Sequence, residues 1–337
     1  MSDVLVVGAG PVGLVTALQC ARAGLSAVVL ERRPAPIDKA CGEGLMPRAV
    51  RELAELGVPL GGREFRGIRY RDERHTVSAR FRAGNGRGVR RTDLQAALEQ
   101  AVRSRGIPIE PARVGRVELT GSAVRVGSLS ARYLVAADGL HSPIRRQLGL
   151  DAAVRTRPRW GQRRHFELAP WSDHVEVYWS EQAEAYVTPV GDDLVGVAVL
   201  SSSRLPFAQL LQAIPALAER VAGASAGPVR GAGPLRQPAR RRVAGRVLLV
   251  GDAAGYVDAL TGEGMATGFA CARRLVDCLV ADQPEAYERA WRAETRKATL
   301  LTEALVRAAE VRWLRPRIVG ASAAVPWAFR AVVNQLA

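Results

Sequence analysis

Val4-Leu5-Val6-Val7-Gly8-Ala9-Gly10-Pro11-Val12-Gly13 is the stretch on which the fold turns. Four aliphatic residues of high β preference run into a G-x-G-x-x-G turn. Apolar residues then recur at Leu14, Ala17, Leu18 and Ala21, the period of a helix with one buried face. Gly24 fits the stop of that helix. Residues 26–30 read as a second strand, and Glu31 stands 23 residues beyond Gly8. Strand, glycine turn, helix, strand and acid in this register predict a dinucleotide site. Gly8 serves the tight turn, Gly10 lets backbone N–H groups approach a pyrophosphate, and Gly13 lets helix and strand pack closely. The helix N-terminus adds partial positive charge, and Glu31 offers an acceptor to both ribose hydroxyls.

The remaining composition narrows the class. At 337 residues the chain has the length of about two domains, with 48 Lys+Arg against 33 Asp+Glu and a net charge of +15. Lysine occurs only at 39 and 297, so arginine supplies the other 46 cations. Neither lysine lies in a GxxxxGK[ST] setting, which excludes a Walker-type nucleotide hydrolase. Arginines crowd 63–91, 155–164 and 236–246, a field that favours anionic partners. With only 5% aromatic residues and no recognisable module, nucleic acid is not expected among them. The four cysteines (Cys20, Cys41, Cys271, Cys278) show no CxxC and no framework spacing, so reduced thiols in the cytoplasm are expected. The four histidines form no metal-ligand pair, and no metal site is expected. The uncharged run 4–21 carries three glycines and a proline, and no signal-like segment precedes a cleavage site.

Two later segments decide between NAD and FAD, which the first turn alone does not. Residues 133–145, YLVAADGLHSPIR, read as a strand followed by a DGxxSxxR loop. Residues 246–255, RVLLVGDAAG, read as a strand ending in GDAAG, with a helix start near 262–264 behind it. With these three fingerprints in order, most of residues 1–280 resembles the FAD-dependent oxidoreductases of the p-hydroxybenzoate hydroxylase-like superfamily. That superfamily includes aromatic hydroxylases, geranylgeranyl reductases and flavin halogenases. The resemblance implies that Gly8, Gly10, Pro11, Val12, Gly13 and Glu31 hold the ADP half of FAD, with Arg32 and Arg33 beside it. It places Arg91 of the RxxL element, together with Asp138 and Gly139, near the phosphates and ribityl chain. Gly251 and Asp252 meet the ribityl hydroxyls, Gly262, Glu263, Gly264 and Met265 border the isoalloxazine, and Cys41 and Gly42 approach it. Thr92 and Gln95 read as a capping box opening a helix through about Val102.

The implied architecture is α/β: a Rossmann-type FAD domain (1–66, 86–154, 243–283), an inserted, mostly β substrate domain (67–85, 155–242) and a C-terminal helical segment (284–337). In the insert, Val175, Val177 and Trp179 share one parity and 194–200 reads as a buried strand, whereas 223–242 reads as a connecting loop. Trp291, Leu300, Leu301 and Leu305 are candidate buried positions of the helices after 284. The tail from Ile318 is apolar apart from Arg330. It reads as a helix closing the core, with a lid or a membrane-surface contact as the other readings.

Halogenases of the superfamily resemble one another in a GWxWxIP element and a lysine beyond it, and neither is present. Lys39-Ala40-Cys41-Gly42-Glu43-Gly44-Leu45 is similar to the cysteine-glycine loop of the reductase branch. The YxWxFP element of that branch is reduced to Pro189, with Glu184, Tyr186 and Thr188 at its aromatic positions. A more polar wall suits a hydroxylated ring, so the expected activity is a cytoplasmic monooxygenase using FAD, transient NADPH and O2 on an apolar, aromatic or polyketide-like molecule. The alternative is reduction of a carbon–carbon double bond. His165 and Tyr186 are the candidate bases.

Overall fold

The computed structural model describes residues 2–154 and 156–337; Arg155, in the second arginine cluster, lies outside them. Strand β1 (Ser2–Val7) lies between two parallel neighbours, β2 (Ala27–Glu31) and strand Leu129–Ala136. Strand Val247–Leu249 extends the parallel set on one side and Ile109–Pro111 on the other. Successive strands therefore leave β1 in opposite directions across the sheet, the switch point at which open α/β sheets bind ligands beyond their C-terminal ends. Antiparallel strands Val243–Ala244, Val117–Thr120 and Ala123–Val126 complete the eight.

Helix α1 (Pro11–Arg22) starts from the glycine turn with Pro11 in its first turn, and ends at Ala23 and Gly24, the latter at φ +77°. Its apolar stripe of Leu14, Ala17 and Leu18 is fully buried against helices Arg91–Ser104 and Gly264–Val280. Close packing needs Gly13: a Cβ there would lie 1.9 Å from the Gly8 carbonyl oxygen. The helix after Arg90 forms without the expected capping box. Thr92 Oγ1 donates to Asp93 instead, and Gln95 donates to Glu99 while accepting from Ile37 N–H.

The second sheet has seven strands, in the order 230–232, 160–166, 195–201, 183–189, 175–179, 67–71 and 76–80. Residues 223–242 thus contain an edge strand, Arg230–Ala232, where the sequence suggests only a loop. Strand Val175–Trp179 is buried at all five positions, so its alternation carries no inside-outside message. One face packs towards the C-terminal helices and the other under helices Phe207–Gln212 and Pro215–Arg220. Glu176 survives on the latter face because Trp171, Tyr178, Arg69 and Arg71 surround its carboxylate.

Helix Ala286–Glu310 leads to two short helices, Ile318–Ala324 and Pro326–Leu336. Leu300 on the long helix is exposed, contrary to its expected burial, whereas Trp291, Leu301 and Leu305 are half-buried. The tail lies across strand Thr76–Arg80, burying Ile318, Val319, Phe329 and Val333 in the core shared with the second sheet.

Candidate active site

A cavity of about 1080 Å³ begins at the C-terminal edge of β1 and continues under the second sheet to the tail helices. At its first end lie Gly10, Pro11 and Val12 of the turn, with Arg32 and Arg33 on one flank. Arg91, Asp138, Gly139, Gly251 and Asp252 line the same end. Gly8 and Gly13 stand behind this wall, shaping it. Glu31 also stands behind it: its carboxylate accepts the Ala9 N–H at 3.0 Å and three N–H groups of Arg33 at 3.0–3.3 Å. Burial pushes its pKa up, but these hydrogen bonds outweigh it and hold the carboxyl below its usual range. All four acceptor positions of the carboxylate are engaged, so a ribose contact at Glu31 has to displace Arg33.

The DGxxSxxR motif is a clamp. Ser142 Oγ accepts the Arg145 N–H at 2.9 Å and caps the short helix Pro143–Gln147. The buried Arg145 guanidinium then pairs with Asp151 and donates to the carbonyls of Leu140 and Ala253. The loop after strand Leu129–Ala136 is thereby tied to GDAAG, and Asp138 and Asp252 meet at one wall. Burial raises the pKa of both carboxyls.

Several polar groups at this end lack protein partners. Arg91 Nε and Asp138 Oδ1 are buried with no hydrogen bond. Lys39, missed as a site residue in the sequence, lines the cavity, and its ammonium makes no hydrogen bond or ion pair among the described residues. Burial and then the nearby Arg33 and Arg91 lower its pKa. A diphosphate among three cations and a polyol against two carboxylates would satisfy these groups, and FAD carries both.

Cys41 and Gly42 line the middle of the cavity; Gly262, Gly264 and Met265, at the start of helix Gly264–Val280, also face it. Glu263 does not. Its side chain is buried, and burial pushes its pKa up to about 8. The Cys41 loop is fixed by Glu43, one of only two non-glycine residues at positive φ among the described residues. Glu43 Oε1 accepts the Arg91 N–H at 2.8 Å, and Oε2 lies 2.6 Å from His165 Nε2. His165 Nδ1 lies 3.1 Å from Arg163 Nη1. A guanidinium only donates, so Nδ1 accepts and Nε2 carries the proton that Glu43 receives. Both ring nitrogens are engaged, and the ring stands behind Glu43, off the cavity wall. His165 is therefore not placed as a base for a substrate.

Tyr186 and Thr188 do share a cavity-facing side of their strand, as alternation requires. Their hydroxyls are engaged: Tyr186 donates to the Leu260 carbonyl at 2.6 Å and Thr188 to the Gly42 carbonyl at 2.7 Å. Burial pushes the Tyr186 pKa well up, so it too is no base. Glu184, on the same side, is fully buried between Arg159 at 2.8 Å and Arg315 at 2.7 Å, and Arg159 also pairs with Asp258 at 2.9 Å. Of the polar wall expected at residues 184–188, Glu184 is thus closed off from the cavity, while Tyr186 and Thr188 line it with their hydroxyls already engaged.

Beyond Met46 and Leu260 the cavity is an apolar chamber, walled by Ile68, Val177, Leu200, Leu235, Leu305 and Phe329. Tyr256 faces it, with a hydroxyl that finds no partner among the described residues and a pKa pushed well up by burial. It directly follows GDAAG, which was its only sequence signal. Burial also raises the Cys41 thiol, so both groups are weak acids held protonated.

A cleft with unpartnered polar groups, opening into an apolar chamber across a switch point, fits a flavin dinucleotide beside an apolar substrate. The chain belongs to the FAD-binding-domain family, which matches residues 1–309. Menaquinone reductase of Mycobacterium tuberculosis is 30% identical over 346 residues, spanning 89% of this chain and 84% of that protein. Digeranylgeranylglycerophospholipid reductase 1 of Methanopyrus kandleri is 31% identical over 303 residues, spanning 80% and 78%. A solved flavin-dependent brominase superposes with a TM-score of 0.85 over 99% of this chain and 93% of its own, at 18% identity. That last likeness is one of fold.

Proposed function

We propose that this FAD enzyme reduces a carbon–carbon double bond in an extended apolar molecule. One observation carries the reading: the groups facing the chamber beside the cysteine-glycine loop are two protonated acids, Cys41 and Tyr256, while both candidate bases are engaged elsewhere. Adding hydrogen across a double bond requires a hydride and a proton, so an acid must stand by. Hydroxylating a phenol calls for a base instead. The two reductases named above support the same branch.

Bound FAD supplies the hydride equivalent, drawn from a reduced nicotinamide. Arg33, Lys39 and Arg91 would hold its diphosphate, and Asp252 its ribityl hydroxyls. Val177, Leu200 and Phe329 exclude water and align the chain of the substrate. Cys41 delivers the proton, with Tyr256 next to it. Glu43 keeps Cys41 and Arg91 in register through its bonds to Arg91 N–H and His165. NADPH is the expected reductant, since the arginine clusters at 63–91, 155–164 and 236–246 offer forks that suit a 2′-phosphate. Stopped-flow reduction with NADPH and NADH tests that preference.

Ring hydroxylation is the second reading, favoured by the phenols Tyr70, Tyr186 and Tyr256 around the chamber. Oxygen dependence separates the two. Turnover of a polyprenyl quinone or polyprenyl lipid with NADPH under strict anaerobiosis is the expected result. Product formation only in air assigns the chain to the second reading.

A further inference from the structure

The chamber opens through the tail. Val325 and Val332 both line it and are both 39% exposed, so they rim a mouth between the two short terminal helices and solvent. On helix Pro326–Leu336, residues 325, 328, 329, 332, 333 and 336 face the chamber. Trp327, Arg330 and Ala331 lie on the outer side and are exposed. Trp327 is 72% exposed and Trp313, just before the short helices, is 67% exposed. Folding alone gives no reason to leave two indoles in water.

The charge around them is one-sided. Residues 311–337 contain four arginines and no Asp or Glu. Arg315 is engaged with Glu184, whereas Arg312, Arg317 and Arg330 are exposed and form no ion pair among the described residues. The apolar face of these helices is taken up by the chamber and the core, so what meets solvent is exposed tryptophans among unpaired cations, the composition of a surface that sits at a lipid headgroup layer. No helix of the described residues is long and apolar enough to cross a membrane, so contact would be with one leaflet.

We propose that residues 311–337 dock the protein on an anionic lipid bilayer, with Trp313 and Trp327 in the interface, Arg312, Arg317 and Arg330 on headgroup phosphates, and the chamber mouth facing the lipid. The purpose of this docking, entry of substrate from the bilayer, rests on the apolar-substrate reading above. The docking itself stands on the exposed indoles and unpaired arginines.

Flotation of the FAD-loaded protein with vesicles, without substrate or NADPH, tests it. Vesicles containing phosphatidylglycerol should carry the protein at low salt, with a blue shift of tryptophan emission, and all-phosphatidylcholine vesicles should carry little. Trp313→Ser with Trp327→Ser should lower binding at least about tenfold, and each of Arg312→Gln, Arg317→Gln and Arg330→Gln about fivefold. Leu119→Ser, at an exposed apolar residue elsewhere, should change nothing. Flavin absorbance and melting temperature confirm that each variant is folded. Absent binding, binding unaffected by the tryptophan and arginine changes, or a dimer that the tryptophan changes dissociate would each overturn the proposal, the last by giving this face to a second copy. A protein that docks but works only in air overturns the double-bond reading and leaves the docking standing.

Discussion

The two ends of the cavity are built on different principles. The cofactor end comes from contiguous signals: one turn, one helix start and two strand-end loops, each positioning backbone or short side chains around fixed chemistry. The chamber end is assembled from residues between 68 and 336 that lie on one sheet and three helices, where the only spacing is the ordinary apolar period of a packed helix. Backbone recognition leaves a motif in the sequence, and an apolar wall leaves only apolar residues. This is why the first end was legible and the second was not.

That contrast is broken most severely at Gly13. A Cβ there would lie 1.9 Å from the Gly8 carbonyl oxygen, so Gly13→Val should abolish FAD binding and yield colourless protein. Val177→Ala, in the chamber, should retain flavin absorbance and lose about 1 kcal/mol of stability. Equal loss of flavin in both variants would erase the distinction.

Cys41→Ala tests the boundary between the ends. Removing a proton donor should lower kcat by about a hundredfold or more while FAD content stays unchanged. Loss of FAD with intact kcat per flavin would make Cys41 a cofactor contact only.

Tyr186→Phe should do less. Its hydroxyl donates to the Leu260 carbonyl at 2.6 Å, so its loss is that of one structural hydrogen bond, about 1 kcal/mol. The expected fall in kcat/KM is below tenfold. A larger fall would return Tyr186 to the reacting atoms.

The smallest effect sharpens the cofactor end through pH. The Glu263 carboxyl titrates near 8 in the folded protein, because of burial, against about 4.5 for the free group. Between these values the folded state holds the extra proton, so its stabilising contribution is full below the lower pKa and declines as pH rises to the upper one. The melting temperature should fall across that window, and Glu263→Gln should flatten this slope. An unchanged slope would show that Glu263 is already charged.

Particular residues show where sequence reading stopped. The turn at Gly8–Gly13, the strand of residues 194–200 and the helix start at 264 were readable because a local pattern dictates a local structure. The capping box at Thr92 failed because Asp93 and Glu99 offered competing partners. Parity in strand Val175–Trp179 held, with Val175, Val177 and Trp179 in one core and Tyr178 in the other, although both faces of the sheet are covered. Glu184 was expected in a polar wall and His165 as a base, yet each is consumed by an arginine or carboxylate more than 20 residues away, Arg159 for one and Glu43 for the other. No local pattern marks such pairs. Lys39 and Tyr256 were overlooked for the converse reason: their interest lies in having no partner.

Turnover under oxygen-18-labelled O2, with the product weighed by mass spectrometry, tests the central claim most directly. The claim is that two protonated acids beside an apolar chamber serve double-bond reduction. The expected product is two hydrogens heavier than the substrate and free of the label. A product carrying one labelled oxygen would contradict it and assign the chamber to hydroxylation.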